Sequence, residues 1–160
     1  MSSSIGREQL EEHNTLDLNG YFPFFLGTIA NKWTSSSSRI YLREFGVGIV
    51  EWRILVSLRA FETATSLDIG NLVGSDPAAI SRGIRNLESR GLVIPVEGRF
   101  PGRTKPYQLT SEGRALFERI REVALKREEI LVQDLDQEER IQFLHLLKKV
   151  HARLKDIQAD

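Results

Sequence analysis

Ala78, Arg82, Arg85 and Ser89 recur at spacings of four, three and four, so on a helix they form one stripe, with Ile80, Ile84 and Leu87 on the stripe opposite. A face of small side chains alternating with guanidinium groups suits contact with a polyanion that also carries readable edges. An arginine can donate two hydrogen bonds to guanine O6 and N7, and an alanine can meet a thymine methyl. Small residues at Pro77, Ala78, Ala79 and Ser81 let the start of such a helix enter a major groove without collision. The amide-rich helix start itself favours phosphate. The candidate DNA contacts are therefore Asp76, Pro77, Ala78, Ala79, Ser81, Arg82 and Arg85, joined by Arg99, Arg103 and Lys105 from the loop beyond.

The formal net charge of the 160 residues is zero, which by itself argues against a nucleic-acid partner. The local distribution reverses that impression. Residues 75–106 hold six basic groups (Arg82, Arg85, Arg90, Arg99, Arg103, Lys105) against three acidic ones (Asp76, Glu88, Glu97), a local charge of +3. Residues 111–160 hold ten basic and eleven acidic groups, so the rest of the chain conceals a basic centre.

Positioning this stripe requires a scaffold, and turn chemistry outlines one. A helix is expected from Leu18 to about Glu44, with Pro23 near its start and the serine run Ser35 to Ser38 as a small-residue surface on which another helix can lie. A second helix is expected over Val50 to Phe61, then a brief one over 66–74 that ends at Gly74. Ser75 or Asp76 caps the next helix, and Pro77 sits in its first turn, where a missing N–H costs nothing. Gly70 is expected to let this helix pair cross closely, as in a helix-turn-helix.

After Gly91, LVIPVE alternates Leu92, Ile94 and Val96 on one face, GRFPGRT is a turn-rich loop, and KPYQLT returns as a second strand. Pro95 and Pro106 predict a short ribbon without neighbours on those edges. Such a ribbon directly after a recognition helix is a wing, and a wing along the DNA backbone brings Arg103 to a narrow minor groove. Thr110 or Ser111 starts a helix through Leu116, Ile120, Val123, Ile130 and Leu131, interrupted by charge at Arg127. Asp136 with Glu139 starts a last helix whose stripe is Ile141, Leu144, Leu147, Val150, Leu154 and Ile157. The fold class is thus mainly α with a small β wing: a winged helix-turn-helix at 49–110, flanked by an N-terminal arm and helix at 1–48 and by C-terminal helices at 111–160 that look like an interaction scaffold.

In this order and spacing the chain resembles the MarR family of winged helix-turn-helix transcription regulators from about residue 18 to 158. EWRILVSL (51–58) is similar to that family's second helix, LDIGNLVGSDPAAISRGIRNLESRGLV (67–93) to its helix-turn-helix, and RTKPYQLTSEGRALFERI (103–120) to its second wing strand and the helix after it. The family commonly has an aspartate two residues before the wing arginine; here that position is Pro101. The resemblance implies a homodimer formed by the first and last helices, bound to a double-stranded, pseudo-palindromic operator, commonly as a repressor and often released by a small ligand.

Other chemistries find little support. There is no cysteine, so disulfides, thiol switches and thiolate metal sites are excluded. His13, His145 and His151 have no ligand spacing, and no phosphate loop or nucleophile elbow is present, so neither enzyme nor metal nor cofactor is expected. The polar N-terminus is not a secretory signal and no apolar run reaches membrane-spanning length, which places the chain in the cytoplasm. The aromatic set Tyr21, Phe22, Phe24, Phe25, Trp33 and Trp52 suits a core or a dimer seam, or else an effector pocket. In the pocket reading, Phe24, Phe25, Trp52 and Arg53 take a small aromatic carboxylate, the arginine binding the acid group. The competing class is a winged-helix module for protein contact without DNA binding. That would require an apolar anchor on the exposed stripe, and residues 78, 82, 85 and 89 provide none.

Overall fold

The computed structural model describes residues 17–98, 100 and 104–157. The expected polar arm over the first 16 residues, and with it His13, lies outside the described residues, as do Arg99, Pro101 and Arg103 of the wing loop. Six helices and one two-stranded antiparallel sheet follow in the expected order: α1 (Phe22–Phe45), α2 (Ile49–Phe61), α3 (Ser66–Val73), α4 (Pro77–Ser89), β1 (Val93–Pro95), β2 (Tyr107–Leu109), α5 (Ser111–Leu131) and α6 (Gln137–Ile157).

Side chains close most of these helix starts. Thr65 and Asp68 bond each other's backbone N–H at the head of α3, Asp76 Oδ2 accepts from Ala79 N–H at 2.9 Å at the head of α4, and Thr110 Oγ1 accepts from Gly113 N–H at 3.0 Å. Asp136 and Glu139 bond reciprocally ahead of α6, each at 2.9 Å. α1 starts later than expected from Leu18. Asp17 gathers the next residues into a turn, accepting from Asn19 and Gly20, and Pro23 fits only the first helical turn. Its end is set by Gly46, at φ 65°, whose N–H returns to the Leu42 carbonyl at 3.0 Å.

The core gathers around Tyr41 of α1, Ile54 and Leu58 of α2, Ile80 and Leu87 of α4, and Ile120 of α5, all at or near zero exposure. The close crossing expected at Gly70 belongs instead to Gly83. A methyl on Gly70 would meet nothing nearer than the Ser75 carbonyl oxygen at 3.8 Å, whereas one on Gly83 would stand 2.6 Å from Ile54 Cδ1. The tight contact of α4 is therefore with α2 rather than with its helix-turn-helix partner. The serine run does receive another helix. Ser37 is fully buried, and Arg127 of α5 turns inward to donate from Nη2 to Ser36 Oγ at 3.0 Å and Ser37 Oγ at 3.3 Å, its guanidinium 5.0 Å from the centre of the Trp33 ring.

The wing departs from expectation in two ways. Val93, at 0% exposure, is the strand's inward residue, and Ile94, at 42%, faces out, opposite Gln108. Leu92 still belongs to the close of α4, its N–H returning to the Leu87 carbonyl, so the pleat begins one residue later than the alternation suggested. The ribbon also has a neighbour: Tyr107 exchanges both backbone hydrogen bonds with Ala64, at 2.8 and 3.2 Å. Both polar groups of Tyr107 therefore point away from Pro95 opposite, whose missing N–H is no loss at that position.

Candidate nucleic-acid interface

The cap at Asp76, the close contact at Gly83 and the buried stripe Ile80, Ile84 and Leu87 fix the rotation of α4. Its opposite face is left at the surface. Pro77, Ala78, Arg82, Arg85 and Ser89 are exposed, Ala79 and Ser81 are half-buried, and neither Arg82 nor Arg85 has an ion-pair partner among the described residues. Two unpaired guanidinium groups on neighbouring turns can each offer a planar fork to a base edge or a phosphate. Lys105 is exposed in the loop leading to β2. Arg99 and Arg103 lie outside the described residues.

The helix start carries a side-chain cap, supplied by Asp76 of the two expected candidates. Asp76 is exposed, and its carboxylate already occupies the amide pole through Ala79 N–H. A phosphate brought to that pole would meet a like charge. Beside it, α3 and α4 enclose a groove of about 460 Å³ lined by Ser66, Asn71, Ser75, Pro77 and Ser81 among others. Ser66 and Asn71 escaped the sequence reading, and Ser75 entered it only as a cap candidate, because short polar residues between helices look like ordinary turn chemistry. Their side chains nevertheless border the exposed face and carry donors suited to phosphate oxygens.

The expected effector set divides. Trp52 and Arg53 line a cavity of about 500 Å³ between α1, α2 and α5, with Trp33, Tyr41, Phe117 and Arg121. Trp52 stacks on Phe117 at 5.3 Å and meets Tyr41 at 5.7 Å, forming an aromatic wall. Arg53 donates from Nη2 to Thr34 Oγ1 at 3.4 Å, a long bond that leaves most of its fork uncommitted. Burial pushes the Tyr41 phenol above its ordinary pKa, against the opposing pull of the Arg127 charge and of hydrogen bonds with Ser37 and Arg127. Phe24 and Phe25 do not join this wall, which corrects their assignment. They pack edge to face with each other at 5.7 Å, exposed near the start of α1. Phe25 precedes Trp33 by eight residues, about 12 Å along a helix axis. Phe117 and Tyr41, which take their place, were not singled out from the sequence.

Among the described residues no three His, Asp or Glu side chains converge to hold a metal ion, and no helix is long and apolar enough to cross a membrane.

No protein-family model matches the chain. It is 31% identical over 107 residues to the uncharacterised HTH-type transcriptional regulator YwoH of Bacillus subtilis strain 168, a stretch that is 67% of this chain and 77% of that protein. Its fold superposes on the crystal structure of a MarR/EmrR family transcriptional regulator from Acinetobacter sp. ADP1 with a TM-score of 0.81 and 28% identity, covering 88% of this chain and 99% of that one. The fold is shared with MepR of S. aureus in its DNA complex, at 24% identity and a TM-score of 0.71, over 84% of this chain and 98% of that one.

Proposed function

The chain belongs to the MarR family of winged helix-turn-helix transcription regulators, DNA-binding proteins rather than enzymes, and from that premise we propose that it is a homodimeric repressor. Two copies of α4 read a pseudo-palindromic operator. Segments 1–48 and 111–160 hold the dimer together, and 49–110 carries the DNA contacts. Arg82 and Arg85, exposed and without an ion-pair partner among the described residues on the face of α4 opposite its buried stripe, carry this reading. Arg82 and Arg85 take base edges, Pro77, Ala78, Ala79 and Ser81 allow the close approach, and Asp76 holds the helix start in shape. Arg99, Arg103 and Lys105 supply the wing's charge to the backbone.

Arg82→Ala is expected to cost roughly 1 to 3 kcal/mol on the preferred duplex and far less on random DNA, measured by fluorescence anisotropy on both. An equal loss on the two would place Arg82 on phosphate rather than on a base. Full retention of affinity for both would remove Arg82 from the DNA contact, and failure of the wild type to bind either duplex would favour docking of a protein partner.

The effector we propose is a small aromatic acid lying against Trp52, with its carboxylate on Arg53. The support is the aromatic wall beside an uncommitted guanidinium in a cavity of suitable size. Such a ligand loosens DNA only by binding the DNA-incompetent spacing of the recognition helices better than the competent one. A tenfold preference, about 1.4 kcal/mol, lowers operator affinity without abolishing it. Calorimetric titration with substituted benzoates should give binding to the wild type and a marked loss in Arg53→Ala. Heats that are unchanged by that substitution would remove Arg53 from the site.

A further inference from the structure

Arg90 closes α4 and counts among the basic groups of the DNA-reading segment, yet its guanidinium is already engaged by the protein. Nη1 donates to the Gly46 carbonyl at 2.8 Å and Nη2 to the Phe45 carbonyl at 3.3 Å. These carbonyls end α1, where the last C=O groups of a helix lack intrahelical partners and form its negative pole. A forked cation fits that pole in charge and in geometry. Gly46, at φ 65°, turns the chain there, and the same Phe45 has the guanidinium of Arg119, from α5, 5.4 Å from its ring centre. The recognition helix is thus held twice, at mid-length where Gly83 meets α2, and at its C-terminus where Arg90 grips α1.

The two supports differ in what they join. Gly83 and Ile54 both lie within 49–110, so their contact travels with the winged unit. The Arg90 bonds span 44 and 45 residues of sequence and reach the helix assigned to the dimer. The other described arginine bond from 49–110 to α1, from Arg53 to Thr34, is longer and starts from α2 rather than from the recognition helix.

We propose that Arg90 is a positioning residue that ties the recognition helix to α1 and so sets the spacing and tilt of the two recognition helices without touching DNA. The inference rests on the reading that α4 enters DNA and that α1 belongs to the dimer scaffold. The full-length chain and its Arg90→Ala, Arg90→Lys and Arg82→Ala variants are compared on a duplex selected from a random pool by the wild type. The same duplex with one base pair added or removed between half-sites serves as the second probe. Arg90→Ala should bind the selected duplex roughly tenfold more weakly, with an unchanged slope of log K against log salt, and should lose most of the preference for the original spacing. Arg90→Lys should recover part of both, since an ammonium still meets the helix pole but cannot fork across two carbonyls. It also keeps the test open if the alanine variant melts early by circular dichroism.

A salt slope flattened by about one unit in Arg90→Ala would put the arginine on phosphate and overturn the proposal. Unchanged affinity and unchanged spacing preference in both Arg90 variants would overturn it as well. If Arg82→Ala binds like the wild type, the fault lies instead in the assignment of α4 to DNA.

Discussion

At the scale of single residues, Asp76 sets a helix cap against the DNA contact proposed at the same place. Its carboxylate caps α4 through Ala79 N–H, and in doing so sets a negative charge where DNA phosphates would approach. Asparagine keeps the capping oxygen and drops the charge. Asp76→Asn should therefore tighten DNA binding while losing only about 0.5 kcal/mol of attraction to the helix pole. Asp76→Ala should lose the cap as well, about 1 kcal/mol of stability by urea denaturation. Weaker DNA binding by the Asn variant would mean that the carboxylate itself accepts from a base. The capping role was legible from an Asp-Pro pair ahead of an apolar stripe. Its conflict with phosphate became visible only once the bond to Ala79 was located.

At the scale of elements, two glycines set how closely a helix approaches its neighbour, Gly83 against α2 and Gly113 against the backbone just before β1, and they differ in what a methyl would strike. At Gly113 a Cβ would land on the Leu92 carbonyl oxygen, backbone that is itself held by Thr110 N–H. At Gly83 it would meet Ile54 Cδ1, the far end of a flexible side chain. Gly113→Ala should cost about 3 kcal/mol, as overpacking against rigid atoms does. Gly83→Ala should cost about 1 kcal/mol or less, because relief at Ile54 combines with alanine's higher helix propensity. Denaturant melts of the two variants check the order, and a reversed order would contradict the packing described. Neither site is marked in the sequence, where both are glycines inside helical patterns and Gly70 looks the better candidate.

At the scale of the molecule, α6 is a helix with a prepared face and no cover among the described residues. None of its described residues is buried, and Ile141, Leu144, Val150 and Leu154 are 43 to 65% exposed. Phe22, Phe24 and Phe25 are exposed at the start of α1 as well. Contiguous apolar surface of this kind marks an interface, and a second copy of the chain is the partner proposed above. Leu144→Glu costs the isolated chain little, since the side chain is already half in solvent. It should nevertheless shift light scattering from dimer to monomer and weaken operator binding by roughly 10²-fold or more, because linked half-sites lose their shared occupancy. A dimer that survives this substitution at micromolar concentration would move the interface elsewhere.

The sequence by itself determined what depends on near neighbours along the chain. Thr65, Asp76 and Thr110 with their partners three residues on, Gly74 at a left-handed turn, and the opposed stripes of α4 are local matters of capping, backbone sterics and helical period. They outlined the order of elements and the exposed stripe of α4 proposed to meet DNA. The tertiary structure decided what depends on distant neighbours: that Gly83 rather than Gly70 bears the tight crossing, that Val93 rather than Ile94 turns inward, and that Phe24 and Phe25 stay away from Trp52. Arg90 and Arg127 make the same point with charge, one spent on the end of α1 and the other on its serines. A helical period tells which face a side chain shares, but a long flexible cation goes wherever an unpaired acceptor lies within reach, and only the packed chain places that acceptor.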